Sequence, residues 1–256
     1  MLNHGRLSNK VALITGVASD PSLGRAIAYR FAEEGARLVV SDIDARGLED
    51  CVRQLQGMGA EVTSLLQDVT LEGDWQKAIE HTETAFGQLD ILINNAGIAV
   101  LRPLQDLSLA DFEKQMTVNM TSVYLGCRFG LQAMKKGGGG SIVNMSSIAG
   151  IVGIPGVSAY AASKGGVRAF TKNVAMEGAP DNVRCNSIHP GTIATNIMLD
   201  SQRDNPEQHE LLINAIPLKR LGRPVEVANC ALFLASEESA YITGAELVID
   251  GGVIAK

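Results

Sequence analysis

A tyrosine and a lysine, Tyr160 and Lys164, lie four positions apart in the segment YAASK. If this segment is helical, the two side chains lie on one face. A free tyrosine has a pKa of about 10 and is a poor base at neutral pH. An ammonium group within roughly 4–6 Å favours the phenolate and lowers that pKa. The pair therefore predicts a group that donates and accepts a proton, although a helical Tyr–Lys pair alone has little specificity.

A serine, Ser147, precedes Tyr160 by 13 positions and directly follows the apolar segment SIVNMS. Its hydroxyl can donate to a substrate carbonyl oxygen while negative charge develops there. The sequence has no His/Asp pattern that would make Ser147 a nucleophile, which argues against a hydrolase. Ser146 is the alternative candidate, since by strand alternation only one of the two faces the site.

These residues need a framework, and short apolar segments that alternate with longer amphipathic ones predict it. The predicted strands are residues 10–15, 37–42, 61–66, 89–94, 141–146, 183–188 and 246–250. The predicted helices are residues 23–34, 45–57, 71–86, 108–135, 158–177 and 224–235. Continuous Val, Ile and Leu runs are typical of strands covered on both faces of a parallel sheet. The pattern predicts a single α/β domain over residues 1–256: a Rossmann-type, doubly wound parallel sheet of about seven strands with helices on both faces.

Residues 192–217 interrupt this alternation. They contain charged patches and two apolar clusters without a strand pattern, so we expect a lid over the ligand crevice. The lid is apolar near its start, and the loop after Ser147 reads IAGIVGIPGV. The apolar lid residues are Ile193, Ile197, Met198 and Leu199. Together these segments predict a hydrophobic pocket suited to alicyclic, aromatic or steroid-like secondary alcohols and ketones.

The segment TGVASDPSLGRAIA (15–28) joins the first strand to the first helix. Such a turn can bind a pyrophosphate, because free N–H groups and the helix dipole attract the anion. Gly16 and Gly24 let the backbone approach closely. The middle glycine of the usual pattern is missing, and Asp20, Pro21 and Ser22 occupy that position. Taken alone, the turn is weak evidence for a dinucleotide site.

An acidic residue, Asp42, ends the second strand 26 positions after Gly16. That position suits a carboxylate that accepts hydrogen bonds from the adenosine ribose hydroxyls. The alternative is an ordinary helix N-cap before Ala45. Asp44 can fill the capping role as well, which would leave Asp42 free.

Composition and charge exclude several classes of function. The net charge is −6 and the longest basic runs are pairs, so nucleic-acid binding is not expected. The four cysteines match no zinc or redox motif and the histidines are isolated, which predicts reduced thiols and no metal site. The N-terminal segment lacks the apolar core of a signal peptide, and the uncharged stretch before Lys164 contains Asn144 and Pro155. We expect a cytoplasmic protein without a membrane partner.

The motifs taken together resemble the short-chain dehydrogenase/reductase family. They are TGVASDPSLG, Asp68–Val69, NNAG (94–97), Asn119, Ser147, YAASK and HPGTIAT (189–195), in the family's order and over residues 10 to 252. The spacing of 13 in that family selects Ser147 over Ser146. The resemblance implies an NAD(H)-dependent oxidoreductase that moves a hydride between its cofactor and an alcohol or carbonyl carbon.

The resemblance also implies a role for each site residue. Lys164 would hold the nicotinamide ribose and acidify Tyr160, which transfers the proton; Ser147 would stabilise the substrate oxygen, and Asn119 would order a water that completes the proton path. The implied cofactor-binding residues are Gly16, Ser22, Leu23, Gly24, Asp42, Asp68, Val69, Asn95, Ala96, Gly97, Tyr160, Lys164, Pro190, Gly191, Ile193 and Thr195. Of these, the residues that would line the adenine and ribose side are Asp68, Val69, Asn95, Ala96 and Gly97. Those that would flank the nicotinamide are Pro190, Gly191, Ile193 and Thr195. His189 is interpreted as structural.

Further residues predict the choice between NAD and NADP and the oligomeric state of the protein. Asp42 would repel the extra phosphate of NADP, so NAD is expected, and Arg46 is the one cation near enough to oppose this. The helices predicted at 108–135 and 158–177 carry apolar or small residues on more faces than one sheet can bury. With the family's usual two-fold pairing, this predicts a homotetramer.

Three other functions stay open. The turn GVASDPS resembles that of the enoyl-acyl carrier protein reductases, but those enzymes space Tyr and Lys seven apart and lack the serine. A 3-oxoacyl-thioester reductase is the second alternative, and a sugar is a further candidate substrate. A non-catalytic NAD-binding protein would typically have lost the Tyr or Lys, whereas this chain keeps Asn119, Ser147, Tyr160 and Lys164.

Overall fold

The computed structural model describes residues 5–196, 198 and 206–255. In this part of the chain, seven parallel strands form one sheet in the order β3-β2-β1-β4-β5-β6-β7. The strands are β1 (Val11–Thr15), β2 (Arg37–Asp42), β3 (Val62–Leu66), β4 (Ile91–Asn94), β5 (Gly140–Met145), β6 (Val183–Pro190) and β7 (Glu246–Ile249). The predicted sheet is confirmed, and the predicted strand segments correspond to these seven.

The centre of the sheet is β1, which pairs with β2 on one side and with β4 on the other. All five residues of β1 and all four of β4 are buried, as the unbroken apolar runs predict. The chain reverses its direction of winding between these two strands. Ligands of open α/β sheets bind at such a switch point, outside the carboxyl ends of the strands.

Helices cover both faces. They are α1 (Leu23–Glu33), α2 (Ala45–Gly57), α3 (Glu72–Phe86), α4 (Leu109–Met116), α5 (Ser122–Gly137), α6 (Ser158–Gly178), α7 (Pro206–Ala215) and α8 (Pro224–Ala235). One apolar cluster joins the sheet to α1, α2 and α8, with Phe31 and Leu232 fully buried. The second joins it to α3, α5 and α6 around Trp75 and Val167. The doubly wound arrangement is therefore confirmed.

The continuous helix expected over residues 108–135 is wrong in one respect. A π-helical turn, Thr117–Thr121, separates α4 from α5. Inside this turn the side chain of Asn119 bonds both the N–H and the C=O of Ile98, at 2.8 and 2.9 Å. The extra residue of a π turn rotates a side chain out of regular helical register, and such turns are frequent at functional sites.

The predicted lid lies partly outside the described residues: Ile197 and Leu199 belong to the undescribed part, as do residues 200–205. Before that gap, Ile193 bridges to Gly222, and the N–H of Asn196 donates to Pro21 O at 3.1 Å. After it comes α7. A role of residues 192–217 as a lid stays a prediction. Within the described ranges, no helix combines the length and apolar character that a membrane span needs.

Candidate active site

The candidate site lies at the carboxyl ends of β4, β5 and β6, beside the N-terminal half of α6. Met145 ends β5, and Ser147 begins the following loop. Tyr160 and Lys164 lie one helical turn apart on α6, so their side chains share one face as the spacing predicts. Sheet pairing of β4 with β5 places the loop that holds Gly97 at the same edge.

Lys164 is buried, with 5% of its surface exposed. Its Nζ donates to the carbonyl oxygen of Met145 at 2.9 Å and lies 5.7 Å from the centre of the Tyr160 ring. Burial lowers the pKa of Lys164 to about 8, because water no longer solvates the ammonium. The amine is therefore still largely protonated at neutral pH and is held next to Tyr160.

The side chain of Ser147 is near enough to that of Tyr160 to affect its ionisation. Burial raises the pKa of Tyr160, and Ser147 lowers it in part. The net direction is upward, so the expected lowering by Lys164 does not prevail in this structure. The physical reason is that the partly buried phenolate loses more hydration than its neighbours replace.

Ser146 and Ser147 divide two roles between them. The Ser146 hydroxyl donates to the backbone carbonyl of Lys164 at 2.9 Å, so it faces α6 and is buried. Ser147 points to the opposite side, towards Tyr160. Strand alternation decides this difference. Of the two serines, Ser147 is the one whose side chain lies next to that of Tyr160.

Asn119 is fully buried, and its amide is largely occupied by protein groups. Besides the two bonds to Ile98, its Nδ2 donates to Ser163 Oγ at 3.1 Å, and Ser163 Oγ donates to the carbonyl of Tyr160 at 2.8 Å. A Cβ placed on Gly97 would lie 3.2 Å from Asn119 Oδ1 and 3.5 Å from Lys164 Nζ. Asn119 therefore ties the loop after β4 to α6, close to the lysine.

The glycine turn is held by the segment NNAG. Gly16 has a φ of +76°, and a Cβ there would lie 2.8 Å from Ala96 Cα. Asn95 Nδ2 donates to the carbonyls of Thr15 and Gly16, each at 2.9 Å. A Cβ on Gly24 would lie 2.1 Å from Gly16 O. The two glycines are required by close backbone contacts, and the side chain of Asn95 helps to hold the turn.

The first helix begins next to this turn. Ser22 is its N-cap, and its Oγ accepts from the N–H of Arg25 at 3.2 Å. Leu23 is the first helical residue, so its N–H is among those without a partner inside the helix. A helix N-terminus that faces a tight glycine turn is a suitable anion site.

Asp42 lies beside the turn, as its position at the end of β2 predicts. One carboxylate oxygen accepts from Ala18 N–H at 2.8 Å, and the other accepts from Asp44 N–H at 3.1 Å. Asp44 is the N-cap of α2, which leaves the Asp42 side chain without a capping role. Asp42 is thus fixed by two backbone donors while part of its surface stays exposed.

The remaining predicted residues lie at neighbouring strand ends. Asp68 Oδ1 accepts from the N–H and hydroxyl of Thr70, at 2.9 and 2.6 Å, and Val69 is buried. On the other side, Gly191 N–H donates to Ile249 O at 2.9 Å, and Ile193 is buried. The predicted residues Pro190 and Thr195 belong to β6 and to the described part of the segment after it.

His189 is fully buried at the end of β6. Its ring contacts Ser187 Oγ at 2.8 Å and the Ser147 carbonyl at 3.2 Å. Burial lowers the pKa of His189, which favours the neutral ring. These contacts agree with the structural interpretation of this histidine.

Sequence reasoning missed one charged residue of the site, Arg25. It follows Gly24 directly, and its guanidinium is buried against the glycine turn. The only feature of the sequence that indicates a role for Arg25 is its position immediately after the last glycine of the turn. Its polar partners lie 5 to 25 positions away, and residue spacing does not predict such contacts.

The residues present fit a nicotinamide dinucleotide. Gly16 and Gly24 leave room where a Cβ would collide with the backbone, the N-terminus of α1 offers free N–H groups, and Asp42 offers a fixed acceptor. Lys164 lies at the same edge of the sheet, next to the ends of β4 and β5, with Tyr160 one turn before it on α6. Among the residues that the structure describes, no group of three or more His, Cys, Asp or Glu side chains is placed to bind a metal ion.

Comparison with known proteins gives consistent results. A family model described as enoyl-(acyl carrier protein) reductase matches residues 16–254. A cyclopentanol dehydrogenase of Comamonas testosteroni is 41% identical over 98% of this chain and 99% of its own. An NADP-dependent (R)-specific alcohol dehydrogenase of Lentilactobacillus kefiri is 40% identical, with the same coverage. The crystal structure of levodione reductase has a TM-score of 0.91 at 36% identity, covering 96% of this chain and 98% of that one.

Proposed function

The chain belongs to the short-chain dehydrogenase/reductase family, and from this premise we propose that it is an NAD(H)-dependent oxidoreductase that interconverts a hydrophobic, alicyclic secondary alcohol and its ketone. The contact between Tyr160 and Ser147, with Lys164 buried beside them, carries this proposal. The names of the relatives support it, since two of them are dehydrogenases of alcohols and one of these acts on a cyclic alcohol.

In the proposed reaction, the bound nicotinamide supplies or accepts the hydride. Tyr160 donates its hydroxyl proton to the substrate oxygen during ketone reduction and takes a proton from the alcohol during oxidation. Ser147 donates a hydrogen bond to the same oxygen and stabilises the charge that develops on it. The two side chains are neighbours, so both hydroxyls can turn towards one oxygen atom.

Lys164 serves the tyrosine through its charge. The ammonium favours the phenolate, and its bond to Met145 O keeps it from turning towards solvent. Asn119 holds the loop after β4 against α6 and so positions Gly97 near Lys164. On this proposal a water bound near Asn119 and Lys164 would return the proton to solvent.

NAD is the proposed cofactor because Asp42 is positioned as an acceptor. A carboxylate has about four acceptor directions, and the two backbone bonds leave directions for two ribose hydroxyls. A phosphate on that ribose would remove one hydroxyl and bring a second anion beside Asp42. Arg46 is the nearby cation that would favour NADP. It is exposed and lines an open groove of about 560 Å³ together with Asp20 and Asp50.

The substrate proposal rests on the apolar loop that follows Ser147. Val152 and Ile154 are partly exposed there, so they are available to contact a ring. Among the predicted lid residues that the structure describes, Ile193 is buried close to the end of β6. A mostly apolar surface with a few polar groups suits a small cyclic alcohol better than a sugar.

A substrate panel tests the proposal. Initial rates would be measured with cyclopentanol, cyclohexanol, a steroid alcohol, a polyol, a 3-oxoacyl thioester and crotonyl thioester, each with both cofactor pairs. We expect the cyclic alcohols to be turned over with NAD and crotonyl thioester to be inert with NADH. Faster turnover of the 3-oxoacyl thioester, or reduction of the crotonyl double bond, would assign one of the two reductase alternatives. Absence of turnover with every compound would favour a binding protein.

A further inference from the structure

A buried arginine lies behind the glycine turn. Arg25, in the first turn of α1, exposes 2% of its surface. A fully buried cation is expensive unless most of its N–H groups find acceptors. Each of the three nitrogens of this guanidinium donates to at least one acceptor.

The acceptors of Arg25 belong to two separate segments. Nη2 donates to Ala18 O at 2.7 Å and to Gly47 O at 2.9 Å, and Nε contacts Val17 O at 3.2 Å. Nη1 donates to Asp50 at 2.7 Å and lies 3.4 Å from Asp20. The guanidinium therefore joins the glycine turn to the first turns of α2, the helix that directly follows Asp42.

One peptide group connects Arg25 with Asp42. The carbonyl of Val17 accepts from Arg25 Nε, and the N–H of the same peptide, on Ala18, donates to Asp42 Oδ2 at 2.8 Å. The next carbonyl, Ala18 O, accepts from Nη2 of Arg25 at 2.7 Å, which is shorter than the 3.2 Å bond from Nε to Val17 O. Because a peptide group is planar, fixing its oxygen also fixes the direction of its N–H. The orientation of the Asp42 carboxylate thus depends on where Arg25 holds residues 17 and 18.

We propose that Arg25 is a positioning residue for cofactor recognition, which holds the Val17–Ala18 peptide so that Asp42 presents its carboxylate to the adenosine ribose. This inference rests on the proposed use of a nicotinamide dinucleotide. Arg25 acts through the turn and through Asp42; its own donors are occupied by protein acceptors. It differs in this from Arg46, which is exposed.

A guanidinium is required for this geometry. Its planar fork spans acceptors on both segments at once, whereas the ammonium of a lysine is a single point of charge. A neutral side chain would leave the carbonyls of residues 17, 18 and 47 without these donors. The turn would then be free to move away from α2.

The main test compares Arg25→Met with a matched control on the same helix, Arg30→Met. Arg30 also pairs with two carboxylates, Glu33 at 3.0 Å and Glu34 at 2.6 Å, but it does not contact the turn. The Kd values for NADH and NADPH would be measured by fluorescence titration, together with kcat and the cofactor KM. We expect Arg25→Met to raise the Kd and KM for NADH roughly 10- to 100-fold, since hydrogen bonds to charged groups are of this strength. The kcat at saturating cofactor should change less than threefold (~0.6 kcal/mol), and Arg30→Met should leave all constants near wild type.

The effect of Arg25→Met in the presence and absence of Asp42 distinguishes a positioning role of Arg25 from a general structural role. In an Asp42→Ala background, Arg25→Met should no longer change the ratio of NADH to NADPH affinity, because the carboxylate that Arg25 positions is gone. A merely structural arginine would lower the melting temperature equally in both backgrounds and would leave that ratio unchanged in each. Arg25→Lys should recover little of the NADH affinity, since it restores the charge without the fork.

A second variant displaces the same turn while Arg25 itself is kept. A Cβ on Gly47 would lie 2.7 Å from Ala18 Cβ and 2.7 Å from Ala18 O, so Gly47→Ala must push Ala18 away. Alanine is also the better helix former, which favours folding of this variant. We expect the same selective loss of NADH affinity, and this variant decides the question if Arg25→Met does not fold.

The outcomes for this inference and for the proposed function are distinct. The wild-type ratio of efficiencies with NAD and NADP tests the proposed cofactor. The Arg25 inference is tested by the change in NADH Kd and its dependence on Asp42, whichever cofactor the wild type prefers. Unchanged NADH affinity in folded Arg25→Met, or an equal ratio shift with and without Asp42, would overturn it.

Discussion

Lys164 donates from Nζ to the carbonyl oxygen of Met145 across 2.9 Å, which joins the middle of α6 to the last residue of β5. Ser146, the next residue, returns a bond from its hydroxyl to the backbone of Lys164. The lysine is therefore held at both its side chain and its main chain by consecutive residues of one strand end. This double attachment explains how a buried ammonium stays next to Tyr160.

The first prediction concerns proton transfer. Tyr160→Phe removes the hydroxyl but keeps the ring and its packing beside Lys164. We expect kcat to fall by roughly 10²–10⁴-fold, which is the usual contribution of a general acid or base. Cofactor Kd, measured by NADH fluorescence, should change little. If the variant retained more than a tenth of wild-type turnover, Tyr160 would not be the proton donor.

The two adjacent serines should respond differently to removal of their hydroxyls. Ser147→Ala is expected to lower kcat by about 10²–10³-fold, as for loss of one donor to a developing oxyanion. Ser146→Ala loses the bond to the Lys164 backbone and should lower the free energy of unfolding by about 1 kcal/mol. Its kcat should stay close to that of the wild type. Initial rates and urea denaturation of both variants check this, and the opposite pattern would reverse the assignment.

The buried lysine predicts a pH-dependent stability difference. The folded chain lowers the pKa of Lys164 from 10.5 to about 8 through burial. Between these values the unfolded chain binds more protons than the folded one, so stability rises with pH relative to a variant without the amine. Below about pH 8 the buried charge opposes folding by on the order of 3 kcal/mol, and this penalty is relieved as the pH approaches 10.5.

Lys164→Met provides the measurement. Urea denaturation of both proteins without cofactor, at about pH 7.5 and at about pH 10.5, gives the difference in unfolding free energy at each pH. The wild type should gain on the order of 3 kcal/mol relative to the variant over this interval. Titrating groups that do not interact with Lys164 cancel in the difference. A constant difference would mean that Lys164 keeps an ordinary pKa.

Cofactor preference should depend on Asp42. A second anion at about 4 Å from this carboxylate costs roughly 1–4 kcal/mol per unit charge at effective dielectrics of 80 to 20. We expect the efficiency with NAD to exceed that with NADP by about tenfold to several hundredfold. Asp42→Ala should bring the two efficiencies closer, and Arg46→Ala should weaken any use of NADP further. Equal catalytic efficiencies with NAD and NADP in the wild type would show that Asp42 does not discriminate between the two adenosine riboses.

The homotetramer was expected from the apolar and small residues of the helices predicted at 108–135 and 158–177, and light scattering tests it. Tyr124 on α5 has 43% of its surface exposed in the single chain and packs edge-on against Phe170 of α6, with 6.2 Å between the ring centres. Burial of such apolar surface between copies would favour closed two-fold pairing. We expect a mass of four chains at micromolar concentration, and a monomer would contradict this.

Local patterns in the sequence determined most of the framework. The strands were predictable because fully buried parallel strands require unbroken apolar runs, as in β1 and β4. The shared face of Tyr160 and Lys164 was predictable because helical periodicity depends on spacing alone. The capping role of Asp44 followed from residue type and position. In each case the physical cause acts between residues close together in the chain.

Contacts between distant residues were decided by the tertiary structure. The π turn at Asn119 depends on the backbone of Ile98, 21 positions earlier, and the partners of Arg25 and Asp42 lie on separate segments of the glycine turn and α2. The pKa of Tyr160 moves upward because the effect of burial outweighs that of Ser147, and burial is a property of the whole fold. Spacing in the sequence predicts which residues share a helix or a strand. The positions of Asn119, Arg25 and Asp42 relative to their partners depend on how the sheet and helices pack. Their hydration and hydrogen bonds are therefore decided only in the folded molecule.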